Sequence, residues 1–369
     1  MPNCTFGVPQ RRHLQQSAPN GPVPDFAFAF DIDGVLLRSS SPLPHAHTTL
    51  SHLQQNRIPF ILLTNGGGTS EEKRVEYLSS KLEVPLHTDL FIQSHTLFVE
   101  KEKLKKETVL VVGGDGDNCR KIAEGYGYKR VVVPADYLVA GKGVWPFSRA
   151  LEEHYKSFAR PLPQGEDAAV KAIFVFNDSR DWGLDATVIL DLLLSEGGKM
   201  GTLSPRNGDP SLPDNGWQQD GQPRLWFSNP DLWWASEYPL PRLGQGGFRA
   251  AVKGVWTAAT GRHGLGMNIV GKPHRETYAF AERRLGRHRE SLFEGREVGG
   301  LKRVYMIGDN PESDIRGANS FKSPRGTEWT SILVRTGVYR GGEPAHQPAV
   351  VVDDVGAAVR WALEKEGWA

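Results

Sequence analysis

An α/β fold built on a mostly parallel sheet is predicted by three features of this 369-residue chain. Short apolar runs recur along it, "FAFAF", "PFILL", "TVLVV", "AIFVF", "RLWFS", "MNIV", "RVYMI", "SILV" and "AVVV", each followed by a turn and a helix-like segment. Strand alternating with helix over such a length is the parallel α/β pattern. The runs are uniformly apolar, as strands covered on both faces should be. Chemically active residues follow the ends of several runs, and ligands of open parallel sheets bind outside the carboxyl ends of the strands. The length favours two domains over one.

Composition narrows the function. Lys and Arg total 44 against 43 Asp and Glu, a net charge of +1, so nothing overall points to nucleic acid or an acidic membrane surface. The two cysteines, Cys4 and Cys119, exclude a disulfide framework and a cysteine-based zinc site, and fit a reducing compartment. The longest apolar stretches fall far short of a bilayer span, so no transmembrane segment is expected.

Taken in order, the chain begins with a segment carrying Arg11 and Arg12 and no acid before Asp25, which leans towards a mitochondrial presequence. Its prolines oppose the amphipathic helix of such signals, and a plain disordered tail remains an equal reading. The first strand alternates Phe26, Phe28 and Phe30 with Ala27 and Ala29, then runs into Asp31 and Asp33. If the backbone stays extended, both carboxylates point to one side, with Cα atoms roughly 7 Å apart. Two such charges call for a cation or a shared proton. Mg2+ would fix Asp31 as an anion while Asp33 keeps a raised pKa and serves as general acid. A turn at the strand end, closed by Gly34, is the structural alternative.

The second run ends at Thr64, Asn65 and three glycines, with Thr69 and Glu72 expected to form a capping box for the next helix. A threonine hydroxyl and unobstructed backbone N–H groups ahead of a helix make an anion site. Thr64, Asn65 and Gly66 are therefore candidate phosphate contacts, with a flexible glycine turn as the rival reading. "VLVVGGDGDNCRKIAEGYGYKRVVV" imitates a dinucleotide fingerprint, but Cys119 stands where its last glycine belongs, so nucleotide binding is not assigned there. Residues 201–222, rich in Gly, Pro, Asp and Asn, should form a long irregular surface loop. Trp226, Phe227, Trp233 and Trp234 are read as core of a second domain in preference to a ligand-facing wall.

Lys272 lies between a strand and a helix start, with Pro273 suited to the first helical turn. A cation there opposes the helix dipole unless an anion sits beside it. The tract "ERRLGRHRESLFEGREVGGLKR" mixes both charge signs and reads as an exposed helix and loop, not a nucleic-acid patch. The strand "RVYMIG" is followed by Asp309, Glu312 and Asp314, the right ligands for Mg2+. Helix capping by Ser313 or Asp314 explains part of this cluster, but not Asp309.

These four segments, in this order, resemble the haloacid dehalogenase superfamily, in its phosphatase branch with "DxDGV". The long insertion resembles the class IIA cap of the bacterial nucleotide phosphatase NagD and of pyridoxal phosphatase. More narrowly, "LLTNGGG", "VFNDSRDWGLD", "SNPDLWWA", "PRLGQGGF" and "GDNPESDIRGANS" resemble the eukaryotic cat eye syndrome critical region protein 5 family. The resemblance runs from residue 25 onward. It implies a doubly wound, Rossmann-like core at 22–95 and 244–369, an inserted α/β cap of C2 type at 96–243, and a tail or targeting segment at 1–21.

Carried over by position, the resemblance makes Asp31 the nucleophile and Asp33 the acid/base. Thr64 and Lys272 would hold the phosphoryl oxygens. Asp309 would bind Mg2+ with Asp314 in support, joined by Asp31 and the backbone carbonyl of Asp33. Asn229 and Asp231 match the cap's return segment, where a structural turn is the plainer reading. Ser313 replaces the commoner threonine, and "TNGGG" has a glycine after "TN" where such phosphatases usually have asparagine or serine, so substrate contacts in that loop can differ. The expected activity is Mg2+-dependent hydrolysis of a small phosphorylated metabolite through an aspartyl-phosphate. The alternatives are a non-catalytic binding protein of the same fold and a phosphotransferase. A homodimer through the cap, a mitochondrial location (with cytoplasmic as the alternative) and a link to glycerophospholipid metabolism complete the expectations.

Overall fold

The computed structural model describes residues 21–141, 143–147, 151–234, 238 and 240–368. The expected tail or targeting segment, with Cys4, lies outside the described residues apart from Gly21. In chain order the elements are β1 (Phe26–Phe30), β2 (Leu37–Arg38), β3 (Ser41–Pro42), α1 (Ala46–Gln55), β4 (Phe60–Leu63), α2 (Glu71–Leu82) and β5 (Phe91–Ile92). Then come β6 (Thr108–Val112), α3 (Asn118–Gly125), β7 (Arg130–Val132), α4 (Pro134–Ala140), α5 (Glu152–Lys156), β8 (Val170–Val175), α6 (Trp182–Leu194) and β9 (Arg224–Phe227). They are followed by β10 (Trp233–Trp234), β11 (Arg242–Leu243), α7 (Gln245–Ala259), β12 (Asn268–Ile269) and α8 (Arg275–Leu292). The chain closes with β13 (Arg303–Gly308), α9 (Arg316–Ser320), β14 (Glu328–Val334), β15 (Val350–Val352) and α10 (Val355–Lys365).

Two parallel sheets organise these elements. The first has the order β15-β14-β13-β1-β4-β5, and every pairing in it is parallel. The chain starts in the middle, runs out through β4 and β5, and later fills the other side through β13, β14 and β15. This is the doubly wound order, and the strand order reverses between β1 and β13, where open sheets bind ligands. The second sheet, β12-β9-β8-β6-β7, is parallel as well.

Alternation along β1 sends its phenylalanines to one face and its alanines to the other. Phe26, Phe28 and Phe30 pack with Leu50, Leu53, Leu78 and Val359 from α1, α2 and α10. Ala27 and Ala29 leave room on the opposite face for Tyr278, Ala281 and Leu285 of α8. That second core continues through Leu97 and Phe98 into Val109, Phe174 and Trp226, so the two sheets share apolar contacts. The far face of the second sheet packs Leu110, Ile173 and Val175 against Val188 and Leu192 of α6 and Val252 and Trp256 of α7.

All nine apolar runs form strands or parts of them. The expected return to the first sheet at residue 244 is too early. Helix α7 packs on the second sheet and β12 pairs with β9, so the chain rejoins the first layer only after Ile269. The two-residue pairs β2–β3 and β10–β11 were not foreseen, being too short to show a period. Residues 201–222 are irregular apart from a single 3-10 turn at Pro213–Gly216.

Four local expectations change. The cap of α2 is Ser70, whose hydroxyl accepts from the Lys73 N–H at 3.5 Å, so Thr69 and Glu72 form no capping box. Helix α8 begins at Arg275 after a His274 cap, which leaves Pro273 ahead of its first turn. The mixed-charge tract is only half exposed: Glu282 is buried on α8 and accepts from Trp329 Nε1 at 3.2 Å and Ser323 Oγ at 2.9 Å. The aromatic group divides too, since Trp226 and Phe227 are core whereas Trp233 and Trp234 are exposed by 55% and 52%.

Candidate active site

Register places the first carboxylates. Phe30 pairs with Ile307, and the Asp31 N–H donates to the Ile307 carbonyl at 2.9 Å, so β1 and β13 end side by side. Asp31 and Asp309 therefore emerge together at the switch point. The extended backbone stops there. The Ile32 carbonyl accepts from Val35, Leu36 and Leu37, and Gly34 takes φ +86°. Asp33 thus lies in a turn beyond the strand end, bridged to Leu37, and the charges of Asp31 and Lys272 both act on it.

Gly34 is needed for space as well as for its dihedral. A Cβ there would run into the Asp309 carboxylate and approach the Gly337 Cα at 2.9 Å. Asp309 is gripped from the other side by the loop after β14, where its Oδ2 accepts from the Val338 N–H at 2.6 Å and its carbonyl from Tyr339 N–H at 3.2 Å. A Cβ on Gly337 would also overlap that carboxylate. This loop carries no charge pattern, and the sequence reading missed it.

Asp314 is fully buried one turn beyond β13, and its Oδ2 accepts from the Asn310 N–H at 3.1 Å. The helix turn is capped by Asn310, which accepts from Glu312 N–H at 2.9 Å, so Asp314 is not the cap. Lys272 is 1% exposed and bridges two of the carboxylates, with Nζ 2.8 Å from Asp31 Oδ1 and 2.7 Å from Asp314 Oδ1. The anions beside this lysine, ahead of α8, are the protein's own.

Asp31, Asp309 and Asp314 each offer a carboxylate oxygen, and these oxygens all lie within 4.8 Å of one another. Three buried carboxylates face one ammonium, an excess of negative charge that a hard divalent cation with oxygen ligands would balance. Burial, then Asp31 and Asp314, holds the Asp309 carboxyl far above the usual range. Burial pushes Asp314 up to about 7 despite the relief from Lys272. Burial opposes the Lys272 charge, but Asp31 and Asp314 more than reverse this and raise its pKa. The donor set fits Mg2+: oxygen only, with no histidine or cysteine among the clustered ligands.

Asp33 is exposed, yet the protein crowded around its carboxyl raises its pKa, and the charge of Asp31 adds to this. Arg74 of α2 works in the opposite direction, and it lines a recess with Thr64, Gly66, Gly67, Thr69 and Gln93. Arg74 was not singled out from sequence, because one arginine on a charged helix carries no signal. The Thr64 hydroxyl accepts from the Gly66 N–H at 3.0 Å at the entrance to the glycine loop.

Asn65 behaves differently from the phosphate contact expected of it. Its Oδ1 accepts from the Lys272 N–H at 2.7 Å, and its Nδ2 donates to the Lys272 carbonyl at 2.9 Å and to Asp231 Oδ2 at 3.1 Å. The side chain is spent on holding the lysine's backbone. Asn229 forms the expected turn, accepting from the Asp231 N–H at 2.8 Å. Asp231, in contrast, reaches the site through Asn65, and burial pushes it up to about 6.

Raised carboxyls set the pH dependence of stability. Asp314 (about 7), Asp231 (about 6) and Asp185 (about 7, through burial) keep protons in the folded chain that the unfolded chain, near 3.8, has lost. The folded state binds more protons, so this contribution is complete below about pH 4 and is lost as pH rises through 6 to 7. Melting of the metal-free protein should fall between about pH 5 and pH 8 from these groups, offset in part by His95 and His288, which burial holds down at about 4 so that the folded chain binds fewer protons there. The fall should be shallower in the Asp185→Asn, Asp231→Asn protein, and a slope unchanged from the parent would contradict it.

Among the described residues no helix is long and apolar enough to cross a membrane. A family model described as haloacid dehalogenase-like hydrolase matches residues 28–129, and one described as HAD-hydrolase-like matches 269–358. A Saccharomyces cerevisiae protein named mitochondrial hydrolase is 39% identical over 357 residues, covering 92% of this chain and 96% of its own. A Schizosaccharomyces pombe protein named cardiolipin synthase (CMP-forming) / mitochondrial hydrolase fusion protein is 40% identical over 367 residues; these cover 96% of this chain but only 56% of the fusion. Among solved structures, a glycerol phosphate phosphatase from Mycobacterium tuberculosis in complex with magnesium superposes with TM-score 0.55 at 19% identity, over 91% of this chain and 76% of its own. The mitochondrial expectation agrees with the names of both yeast relatives.

Proposed function

The chain belongs to the haloacid dehalogenase-like hydrolases, and from that membership we propose that it is a Mg2+-dependent phosphate monoester hydrolase acting through an aspartyl-phosphate on Asp31. The observation that carries this reading is the convergence of Asp31, Asp309, Asp314 and Lys272 on one crevice, with Thr64 and the glycine loop on its neighbouring strand end.

Asp31 Oδ1 is held by Lys272 Nζ as an oriented carboxylate, poised to attack phosphorus and release the ester oxygen. Asp33, with its raised pKa, donates a proton to that leaving oxygen. As a carboxylate it then takes a proton from the water that attacks the acyl phosphate, returning Asp31 free and releasing orthophosphate. Thr64, Lys272 and the Gly67 N–H would hold the phosphoryl oxygens, since the Gly66 and Gly68 N–H groups donate to Thr64 Oγ1 and His95 Nε2, and Asn65 positions Lys272 through both of its backbone groups. Asp31, Asp309 and Asp314, with the Asp33 carbonyl, would hold Mg2+, which supplies charge neutralisation for the phosphoryl group.

Glycerol phosphate phosphatase and cardiolipin synthase in the names of similar proteins support a small phosphorylated substrate connected with glycerophospholipid metabolism. Phosphate release from an aryl phosphate, with and without Mg2+, tests the reading. Metal-dependent turnover is expected, and added alcohols should leave the yield of free phosphate unchanged. Absence of turnover on aryl and glycerol phosphates would favour a binding role, and phosphorylated alcohols as main product a transferase.

Two further outcomes follow from the geometry. Mg2+ should raise the melting temperature more at about pH 8 than at about pH 5, because binding draws on ionised carboxylates; no metal-dependent shift at either pH would remove Mg2+ from the account. Gly337→Ala should displace Asp309 and lower kcat about ten- to hundredfold at a given Mg2+ concentration, with higher metal partly restoring it. An unchanged Mg2+ dependence in a folded Gly337→Ala protein counts against Asp309 as a ligand.

A further inference from the structure

The glycine loop is held from behind by groups that phosphoryl transfer does not use. The Ser94 N–H donates to the Gly66 carbonyl at 3.0 Å, and Gln93 Nε2 donates to the Thr69 carbonyl at 2.7 Å. Between these anchors the Gly68 N–H donates to His95 Nε2 at 3.3 Å. His95 follows β5, where the chain leaves the first sheet for the second, and it is completely buried. Its ring stacks on Phe176 at 5.1 Å, just beyond β8 of the second sheet. A Cβ on Gly67 would come within 2.7 Å of Ser94 Oγ and 3.0 Å of His95 Cδ2, so the loop lies directly against this support.

The other ring nitrogen, Nδ1, lies 2.8 Å from the hydroxyl of Tyr126, which ends α3 in the second layer. That hydroxyl bonds in turn to Glu71 Oε1, which also accepts from Thr96 Oγ1 at 2.7 Å. Glu71 sits in the first turn of α2, immediately after the loop. The direction of this chain is fixed by its ends. A backbone N–H can only donate, so Nε2 must be bare and the neutral ring carries its proton on Nδ1. Nδ1 then donates to Tyr126, and Tyr126 donates to the carboxylate. Burial pushes the imidazole down to about 4 against the pull of Glu71, so the ring stays neutral and Nε2 remains an acceptor.

We propose that His95 is a positioning residue for the phosphate loop: its Nε2 sets the Gly68 peptide, and Tyr126 from the second layer sets the histidine tautomer. The orientation of the loop's amides therefore depends on how the second layer is seated. The effect on turnover rests on the phosphatase reading; the effect on the loop itself does not.

Conservative variants separate this role from simple packing. His95→Gln keeps an acceptor near the Nε2 position, whereas His95→Asn reaches only as far as Nδ1. His95→Asn should raise both KM for an aryl phosphate and the inhibition constant of inorganic phosphate about ten- to hundredfold, with His95→Gln within about threefold of the parent. Amide hydrogen exchange across residues 66–69 should quicken about tenfold or more in His95→Asn and in Tyr126→Phe, which keeps the stacked ring if the histidine variants do not fold. Equal behaviour of the Asn and Gln variants, or unchanged exchange at 66–69 in both His95→Asn and Tyr126→Phe, overturns the proposal. Exchange that responds as expected in a protein with no phosphatase turnover overturns the functional reading and leaves the positioning role standing.

Discussion

Asp31→Asn should remove turnover, by a factor on the order of 10^4 or more, while leaving the protein folded. The amide cannot form an acyl phosphate, and no other carboxylate can replace it. Asp309 is clamped by Val338 and Tyr339, Asp314 is sealed beneath the lysine, and Asp33 lies in a turn beyond the strand end. Stability should move the other way or not at all, since the change takes one negative charge from a crowded group in which Asp31 raises the carboxyls of Asp309 and Asp314. Steady-state rates and melting curves of the two proteins check both halves. Retained turnover within about tenfold would remove Asp31 from the nucleophile's role.

The second large effect belongs to Lys272. Lys272→Met keeps much of the side chain's length but deletes the only cation within ion-pair distance of Asp31 and Asp314 among the described residues. Stranding buried carboxylates costs about 3–5 kcal/mol, so a clear loss of stability is expected near neutral pH. Protonation offers relief, because Asp314 already titrates at about 7, so the loss should shrink at about pH 5 and widen at about pH 8. Turnover should fall on the order of 10^3-fold, the scale for removing a preorganised charge from a transition state. Denaturant melts at the two pH values and kcat in saturating Mg2+ test this. Equal destabilisation at both would mean that Lys272 contributes packing and not charge.

How much of this was legible in the sequence depended on the length scale of the signal. The nine strands were readable because each is a short apolar run, and the doubly wound core followed from their alternation with helices. Asp31, Asp309, Asp314 and Lys272 could be picked out because charged residues at the ends of apolar strands need an explanation. Their spacing in sequence, from 31 to 314, says nothing of their meeting in space; the parallel sheet does that. What stayed hidden was set by contacts with no local pattern. Asn65 looks like a phosphate ligand beside three glycines, but its amide matches both backbone groups of Lys272, 207 residues away. His95 sits in an unremarkable polar stretch, and only the closeness of Gly68 and Tyr126 gives it a role. The boundary at 244 was misplaced because α7 has the composition of any amphipathic helix, and the sheet it covers is decided by β12.

Passage of phosphate through Asp31 is the step on which this mechanism stands. It is tested most directly by acid-quenching the Asp33→Asn protein during reaction with an aryl phosphate and Mg2+, then locating any phosphoryl group by peptide mass spectrometry. An aryl leaving group departs with little help from an acid, whereas release from the enzyme still needs Asp33 as a base, so the intermediate should build up. A phosphoryl adduct on the peptide containing Asp31, absent when Mg2+ is withheld, is the predicted result. Continued phosphate release with no adduct on Asp31, or an adduct on another residue, would contradict it.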